Sequence, residues 1–187
     1  MAQSPFTMLS LRFSLTEDEY FLYNYHTTWA SPARKGYRRR HYMRIFALYS
    51  AVAGLYIIAN YSHRFWFDLF VFAVIAVVYF SLIPYFVRLS VRKRVREILR
   101  QPGNHHILEP AEVIIMETGI IDKDDLSETR YDWEAIVKKE ETAHAFYLYT
   151  NSYHAIVIPQ RILKDPDKKE LESLLNRHLP LSSEFSG

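Results

Sequence analysis

The chain has 187 residues, near the size of one ordinary domain, with 49% hydrophobic, 24% charged and 16% aromatic content. It has no cysteine, which excludes a disulfide framework, a Cys-based zinc site and a cysteine nucleophile, and its five glycines exclude collagen-like and Gly-rich classes. Its net charge of +2 hides a separation: residues 1–31 carry one base and three acids, residues 32–100 thirteen bases and two acids, and residues 101–187 nine bases and sixteen acids.

The N-terminal stretch 7–14 alternates Met8, Ser10 and Arg12 with Leu9, Leu11 and Phe13, the period of a half-buried strand. Thr16 followed three residues later by Glu19 is a capping box, so a helix is predicted over 17–30, with acids at its positive end. This helix is rich in aromatic residues, and it either lies against lipid headgroups or docks on the rest of the cytoplasmic part. Ser31-Pro32 stops it before the basic run.

Residues 45–61 contain no formal charge, and residues 65–87 contain only Asp68. As helices of 17 and 23 residues they extend roughly 25 Å and roughly 34 Å, against a hydrocarbon core of about 30 Å. Neither has a polar stripe, so each is apolar all round. A chain this short has little protein with which to surround two such helices, and membrane spanning is the better reading than burial. More than forty mostly polar residues precede the first run, which argues against a cleavable signal peptide.

Arg34, Lys35, Arg38, Arg39, Arg40 and Arg44 precede the first run; Arg88, Arg92, Lys93, Arg94, Arg96 and Arg100 follow the second. The connecting loop holds Arg64 alone. The positive-inside rule then predicts a multi-pass hairpin with both termini cytoplasmic. These bases also attract anionic lipid, and their place beside the spans favours that role over nucleic-acid binding. Pro84 is expected to kink the second helix near its cytoplasmic end. Asp68 lies four residues from Arg64 and reads as an end-of-helix carboxylate rather than an ion site, and nothing else suggests a transporter. Ala51, Ala53 and Gly54 form one small-residue patch, a weak signal that leaves homo-oligomerisation open.

The second helix is expected to run on to Leu99 and to end at Gln101-Pro102-Gly103-Asn104. Six short strands are predicted beyond it, over 105–109, 112–118, 126–132, 136–141, 143–150 and 153–158. Asn151-Ser152 has the spacing of a two-residue hairpin. Asp165-Pro166 supplies an N-cap and first-turn proline to a helix whose Leu171, Leu174, Leu175 and Leu179 share one face. The fold class is therefore α+β, with a two-span transmembrane hairpin and a cytoplasmic small β-barrel or sheet closed by a C-terminal helix. Its segments are 1–31, 32–100 and 101–187. With six strands in the last segment, the strand at 7–14 could pair as a seventh.

Tyr131-Asp132-Trp133-Glu134-Ala135-Ile136, Phe146-Tyr147-Leu148-Tyr149 and Ile158-Pro159-Gln160-Arg161 together resemble the C-terminal domain of the YcxB-like family of bacterial membrane proteins. The resemblance implies a pleckstrin-homology-like (PH-like) domain at the bacterial inner membrane. It marks Trp133, Ile136, Tyr147, Leu148 and Pro159 as structural positions and carries over no functional residues.

The sequence has no P-loop, no dinucleotide fingerprint, no G-x-S-x-G and no H-E-x-x-H, so no catalytic, cofactor-binding or metal-ligating residue is predicted. His105 and His106, as neighbours on a strand, would face opposite ways, while His144 and His154 could approach across a hairpin. Asp122-Lys123-Asp124-Asp125 reads as a solvated turn rather than a calcium loop. Without catalytic residues, the expectation is a non-enzymatic, membrane-anchored interaction module that docks a protein partner. The alternative is recognition of lipid headgroups. Phosphate recognition needs converging bases, whereas the segment 101–187 is acidic overall and would be repelled by anionic lipid, although Lys138 and Lys139 leave room for a small basic patch. A transporter or an enzyme subunit is the weakest reading.

Overall fold

The computed structural model describes residues 8–60 and 64–179. Thr7, where the first strand is expected to begin, and residues 61–63, which hold the expected end of the first span and part of the expected loop, lie outside them. The chain divides into two compact units: residues up to Asn24 together with those from Val95 onward, and Tyr25–Arg94.

The first unit contains two antiparallel sheets. β1 (Met8–Ser14), β2 (Pro110–Met116), β3 (Gly119–Lys123) and β4 (Glu128–Tyr131) form one in that order; β5 (Lys138–Glu141), β6 (Ala145–Tyr149) and β7 (Ala155–Pro159) form the other. Neither sheet closes on itself, so the strands make two open sheets rather than a barrel. β1 joins as the seventh strand, pairing with β2 from Met8↔Met116 to Ser14↔Pro110. The alternation seen in its sequence buries Leu9, Leu11 and Phe13 and exposes Met8, Ser10 and Arg12. On the exposed face the Ser10 hydroxyl donates to Glu112 at 2.6 Å, across the β1–β2 pair.

Several sequence expectations need correction. Residues 105–109 are not a strand: Pro102–Leu108 is a 3-10 helix, entered through Pro102, with Asn104 Nδ2 reaching back to the Ile98 carbonyl at 3.0 Å. A strand was also missed. β3 begins at Gly119, directly after the two-residue turn Glu117-Thr118. Gly119 has φ +152°, and a Cβ there would lie 2.3 Å from the Tyr131 carbonyl oxygen, so β3 and β4 approach each other in a way only glycine allows. The β6–β7 loop has five residues rather than two, since Tyr149 pairs with Ala155. The Asn151 carboxamide organises it by accepting from the Tyr153 and His154 amides at 2.9 and 2.8 Å.

The main core gathers Leu9, Leu11 and Phe13 of β1, Val113 and Ile115 of β2, and Ile120 of β3. Phe146, Leu148, Ile156 and Ile158 join it from the second sheet. The last helix, α4 (Asp165–His178), closes it with Leu171, Leu174 and Leu175, all 1% exposed or less. Asp165 is the first helical residue; the cap position falls to Lys164, which makes no side-chain capping bond. The opposite face of β6 and β7, with Tyr147, Tyr149, Ala155 and Val157, packs on α1 (Glu17–Tyr25) through Tyr23 and Tyr20. Helix α1 therefore docks on the sheet, and its start is the expected capping box. The Thr16 amide donates to Glu19 at 2.9 Å, and the Glu19 amide to the Thr16 hydroxyl at 3.2 Å.

The second unit holds α2 (Lys35–Ala59) and most of α3 (Phe65–Leu99). The stretches Pro32–Ala59 and Phe65–Leu99 have mean hydropathies of 1.5 and 2.4 over their most apolar windows, of which only 6% is buried. They are long and apolar enough to cross a membrane. Their apolar side chains are exposed, Ile58 at 75% and Trp66 at 79%, unlike those of a soluble core helix. Helix α3 runs uninterrupted through Pro84 to Leu99, and Asp68 sits in its first turn. The Tyr49 hydroxyl donates to the Phe72 carbonyl at 2.6 Å, joining the two helices.

One acid couples α4 to the first sheet. Glu117, in the β2–β3 turn, meets His178 Nε2 at 2.9 Å and pairs with Arg177. The hydrogen bond with His178 is the largest influence on its carboxyl; desolvation pushes the other way, and the Arg177 contact together with the charges of both partners leaves it below the ordinary 4.5. A depressed carboxylate pKa contributes stability that is full above the unfolded value and lost as pH falls through the folded one. Glu117→Gln is therefore expected to lower the melting temperature at pH 7. The difference from wild type should shrink as pH drops below 4.5; a gap that persists undiminished at lower pH contradicts this.

Candidate interaction cleft

The basic residues flanking the apolar helices do more locally than their sequence suggested. Helix α1 passes into a single π-helical stretch, His26–Ala30, and Ser31 ends it with an extended ψ of 140°. Carbonyls at such an end lack helical partners. Arg34 Nε donates to the Thr27 carbonyl at 3.0 Å; Arg38 donates to the Trp29 carbonyl and, at 2.9 Å, to that of Ser31. Trp29, buried, is ringed by Tyr37, His41 and Tyr42 at centroid distances of 6.4, 5.6 and 6.2 Å. Arg88 lies 5.4 Å over the Tyr25 ring. Arg96 pairs with Glu17 at 2.9 Å, tying the end of α3 to the start of α1. Lys35, Arg39, Arg40 and Arg44 lie on α2, Arg92, Lys93 and Arg94 on α3, and Arg100 just beyond it.

The positions marked by the family resemblance are internal. Trp133 opens the 3-10 turn Trp133–Ala135, and its indole N–H is shared between the Met116 and Glu117 carbonyls, both at 3.1 Å. Its ring stacks on His178 at 4.7 Å and 6°. Ile136, Tyr147, Leu148 and Pro159 are buried. Arg161, at the end of the last motif, donates to Glu19 at 2.6 Å and to the Ser14 carbonyl at 2.7 Å, so it clamps the junction of β1 and α1. Burial pushes the Glu19 carboxyl upward, yet hydrogen bonds from Arg161 and Thr16 outweigh it and hold the pKa below the ordinary value.

Two pairs singled out for chemistry do not form sites. His144 lies opposite Gln160 at one end of the β6–β7 pair and His154 opposite Thr150 at the other, about 20 Å apart along the strands. His105 and His106 are adjacent on the 3-10 helix, where His105 is occupied by the Pro102 carbonyl at 2.8 Å. Among the described residues no group of three His or acidic side chains is placed to hold a metal ion. Lys138 pairs with Glu140, and Lys139 Nζ donates to the Leu175 carbonyl and Asn176 Oδ1 at 3.2 and 2.6 Å. Both lysines are thus engaged by the fold, and burial lowers the Lys139 pKa.

What the sequence did not reveal is a cleft of about 480 Å³ in the first unit, within the range of ligand-binding pockets. It is lined by Phe13, Leu15, Tyr20 and Tyr23, by Val113, Asp122 and Asp124, by His106 and Glu109, by Tyr153 and His154 of the β6–β7 loop, and by the β7 residues Ala155, Ile156 and Val157. Asp122 is half-buried. Desolvation, and then the neighbouring Asp124, push its carboxyl pKa upward, with His154 opposing. Asp124 is held low by the Leu126 amide, chiefly, and by Ser127, whose bonds to its Oδ1 make the β3–β4 turn. No single segment carries this cleft. It assembles from β1, α1, the 3-10 helix, β2, β3 and β7.

The family model for YcxB-like protein matches residues 115–175, from the end of β2 into α4. This portion of the chain is therefore similar to that family, as its motifs indicate, while β1, α1 and both apolar helices lie outside the match. No curated protein and no solved structure matches the chain.

Proposed function

We propose that the chain is a non-enzymatic, membrane-anchored interaction module that docks a protein partner at the bacterial inner membrane through a PH-like domain. The arrangement of four plus three strands with a C-terminal helix over the core supports the PH-like reading. The pairing of β1 with β2 supports the topology. One strand precedes both apolar helices and the other follows them, yet they share a sheet, as a chain that crosses twice and returns to the side it left requires. The basic flanks make that side the cytoplasm, where they also meet anionic lipid.

The observation that carries the choice of a protein partner is the cleft, whose acids and tyrosines stand where a phosphate site would need converging bases. Lys138 and Lys139, the small basic patch of this segment's sequence, are engaged by Glu140 and Asn176. Extraction of the full chain from its own membranes in mild detergent, followed by native mass spectrometry, tests this. A defined protein partner is expected; a chain that carries phospholipid alone turns the reading to lipid recognition. The chain has no cysteine of its own, so single cysteines at Ser10, Ser62 and Ser183 test topology without background. Those at Ser10 and Ser183 should be protected in intact cells and that at Ser62 reachable.

A further inference from the structure

The outer edge of β7 has a definite hydrogen-bonding phase. Thr150 donates to the His154 carbonyl at 3.0 Å and Gln160 to that of His144 at 2.8 Å, so these are the hydrogen-bonded pairs at the two ends of the ladder. Alternation along an antiparallel pair then places Ile156 and Ile158 toward β6, and turns the N–H and C=O groups of Ala155 and Val157 away from it. β7 is the last strand of its sheet.

The Tyr23 hydroxyl meets this edge at one point. It accepts from the Ala155 amide at 3.1 Å and donates to the Tyr153 carbonyl at 2.6 Å. An oxygen that accepts from one edge amide and a proton given to the carbonyl two residues earlier are what a neighbouring strand would supply there. Two residues on, Val157 is only 7% exposed and lines the cleft. No strand among the described residues pairs with its outward N–H and C=O. Edge groups of this kind are a template on which a strand from another chain can pair. The same cleft is lined by Glu109, Asp122 and Asp124 together with His106 and His154; Glu109 lies 3.7 Å from His105, and Asp124 accepts from the Leu126 and Ser127 amides, so Asp122 is the carboxylate most open to a ligand.

We infer that the cleft takes an extended peptide segment, which adds to the β7 edge at Val157 and sets a Lys or Arg side chain among Glu109, Asp122 and Asp124. Main-chain bonds to an edge strand give affinity, and a side-chain pocket gives the preference. The inference rests on the interaction-module reading and specifies how the partner is held.

The test uses the full chain in detergent micelles and a labelled peptide of three Lys-Val repeats, with Gln-Val and Glu-Val repeats for comparison. Binding is read by fluorescence anisotropy, and amide protection by hydrogen exchange. The Lys peptide is expected to bind at least tenfold tighter than the Gln peptide and to slow exchange at Val157. Asp122→Asn should remove most of that preference while leaving the fold intact. Val157→Pro should abolish binding of all three peptides, and the strand already holds a proline in the same phase at Pro159. Equal binding of Lys and Gln peptides, or binding without protection at Val157, overturns the proposal. If native mass spectrometry finds the same protein partner on Asp122→Asn and Val157→Pro chains as on wild type, the edge site is wrong and the interaction module stands. If wild type carries phospholipid alone and binds none of the peptides, both readings fall together.

Discussion

Replacing Leu9, Leu11 and Phe13 together by alanine is expected to unfold the sheet-containing unit although its remaining six strands are untouched. The three side chains are 6%, 6% and 8% exposed and pack on Val113, Ile115 and the helix α4 leucines. Buried Leu→Ala changes cost about 2–5 kcal/mol and Phe→Ala about 3–5. Even at the lower ends the sum is about 7 kcal/mol, comparable with the ~5–15 kcal/mol that holds a typical domain together. Neighbouring sites do not add perfectly, but three losses in one core approach the whole stability of such a domain. Limited proteolysis of the full chain in detergent reads the outcome. New cleavage should appear across residues 110–149, far in sequence from the substitutions, while α2 and the apolar part of α3 stay resistant. An unchanged cleavage pattern would show that β1 is dispensable to the core.

Trp133→Ala is expected to be the most damaging single substitution in the region similar to the YcxB-like family. It removes a buried ring stacked on His178, together with the donor shared by the Met116 and Glu117 carbonyls. A buried Trp→Ala change costs about 3–5 kcal/mol, enough to lower the melting temperature of a domain this size by more than about 10 °C. Trp133→Phe keeps most of the ring but loses the donor, and a net loss of about 1 kcal/mol is expected. Calorimetry of the full chain in detergent should therefore order the proteins as wild type, then Phe, then Ala. Equal destabilisation by Phe and Ala would assign the whole effect to the hydrogen bonds. An Ala variant as stable as wild type would remove Trp133 from the core.

Where the sequence was legible, the signal was local. Thr16 and Glu19 announce their capping box because both partners lie within one turn. The apolar helices announce themselves by length, and α4 by the spacing of its leucines. The β3 strand was hidden because its signal is short, with Gly119 at one end and an acidic turn at the other. Residues 105–109 misled because an apolar pair beside two histidines has strand composition, whereas Pro102 and the turn chemistry of Gly103-Asn104 set a 3-10 path. Asn151 and Ser152 look like a hairpin turn on their own, but the Asn151 carboxamide binds the amides of Tyr153 and His154 and so lengthens the β6–β7 loop. The cleft had no local signature at all. Its acids come from the cap of the 3-10 helix, from β3 and from the β3–β4 turn, its tyrosines from α1 and the β6–β7 loop, and its open main-chain edge from β7. Only the tertiary arrangement brings them together.

The pairing of β1 with β2 also makes the order of biosynthesis matter. Ser10 and its partner Glu112 are 102 positions apart, so β1 must wait while both apolar helices emerge. Closing so long a connection is entropically slow, although its cost grows only with the logarithm of length. If the helices insert as proposed, a chain with one helix left out, or with the first reversed, would strand β1 across the bilayer from its partner. The core would then lack three of its side chains and remain open to proteases. Folding of the sheet in this way inspects the insertion that preceded it, and a chain that inserted wrongly exposes its error by failing to fold.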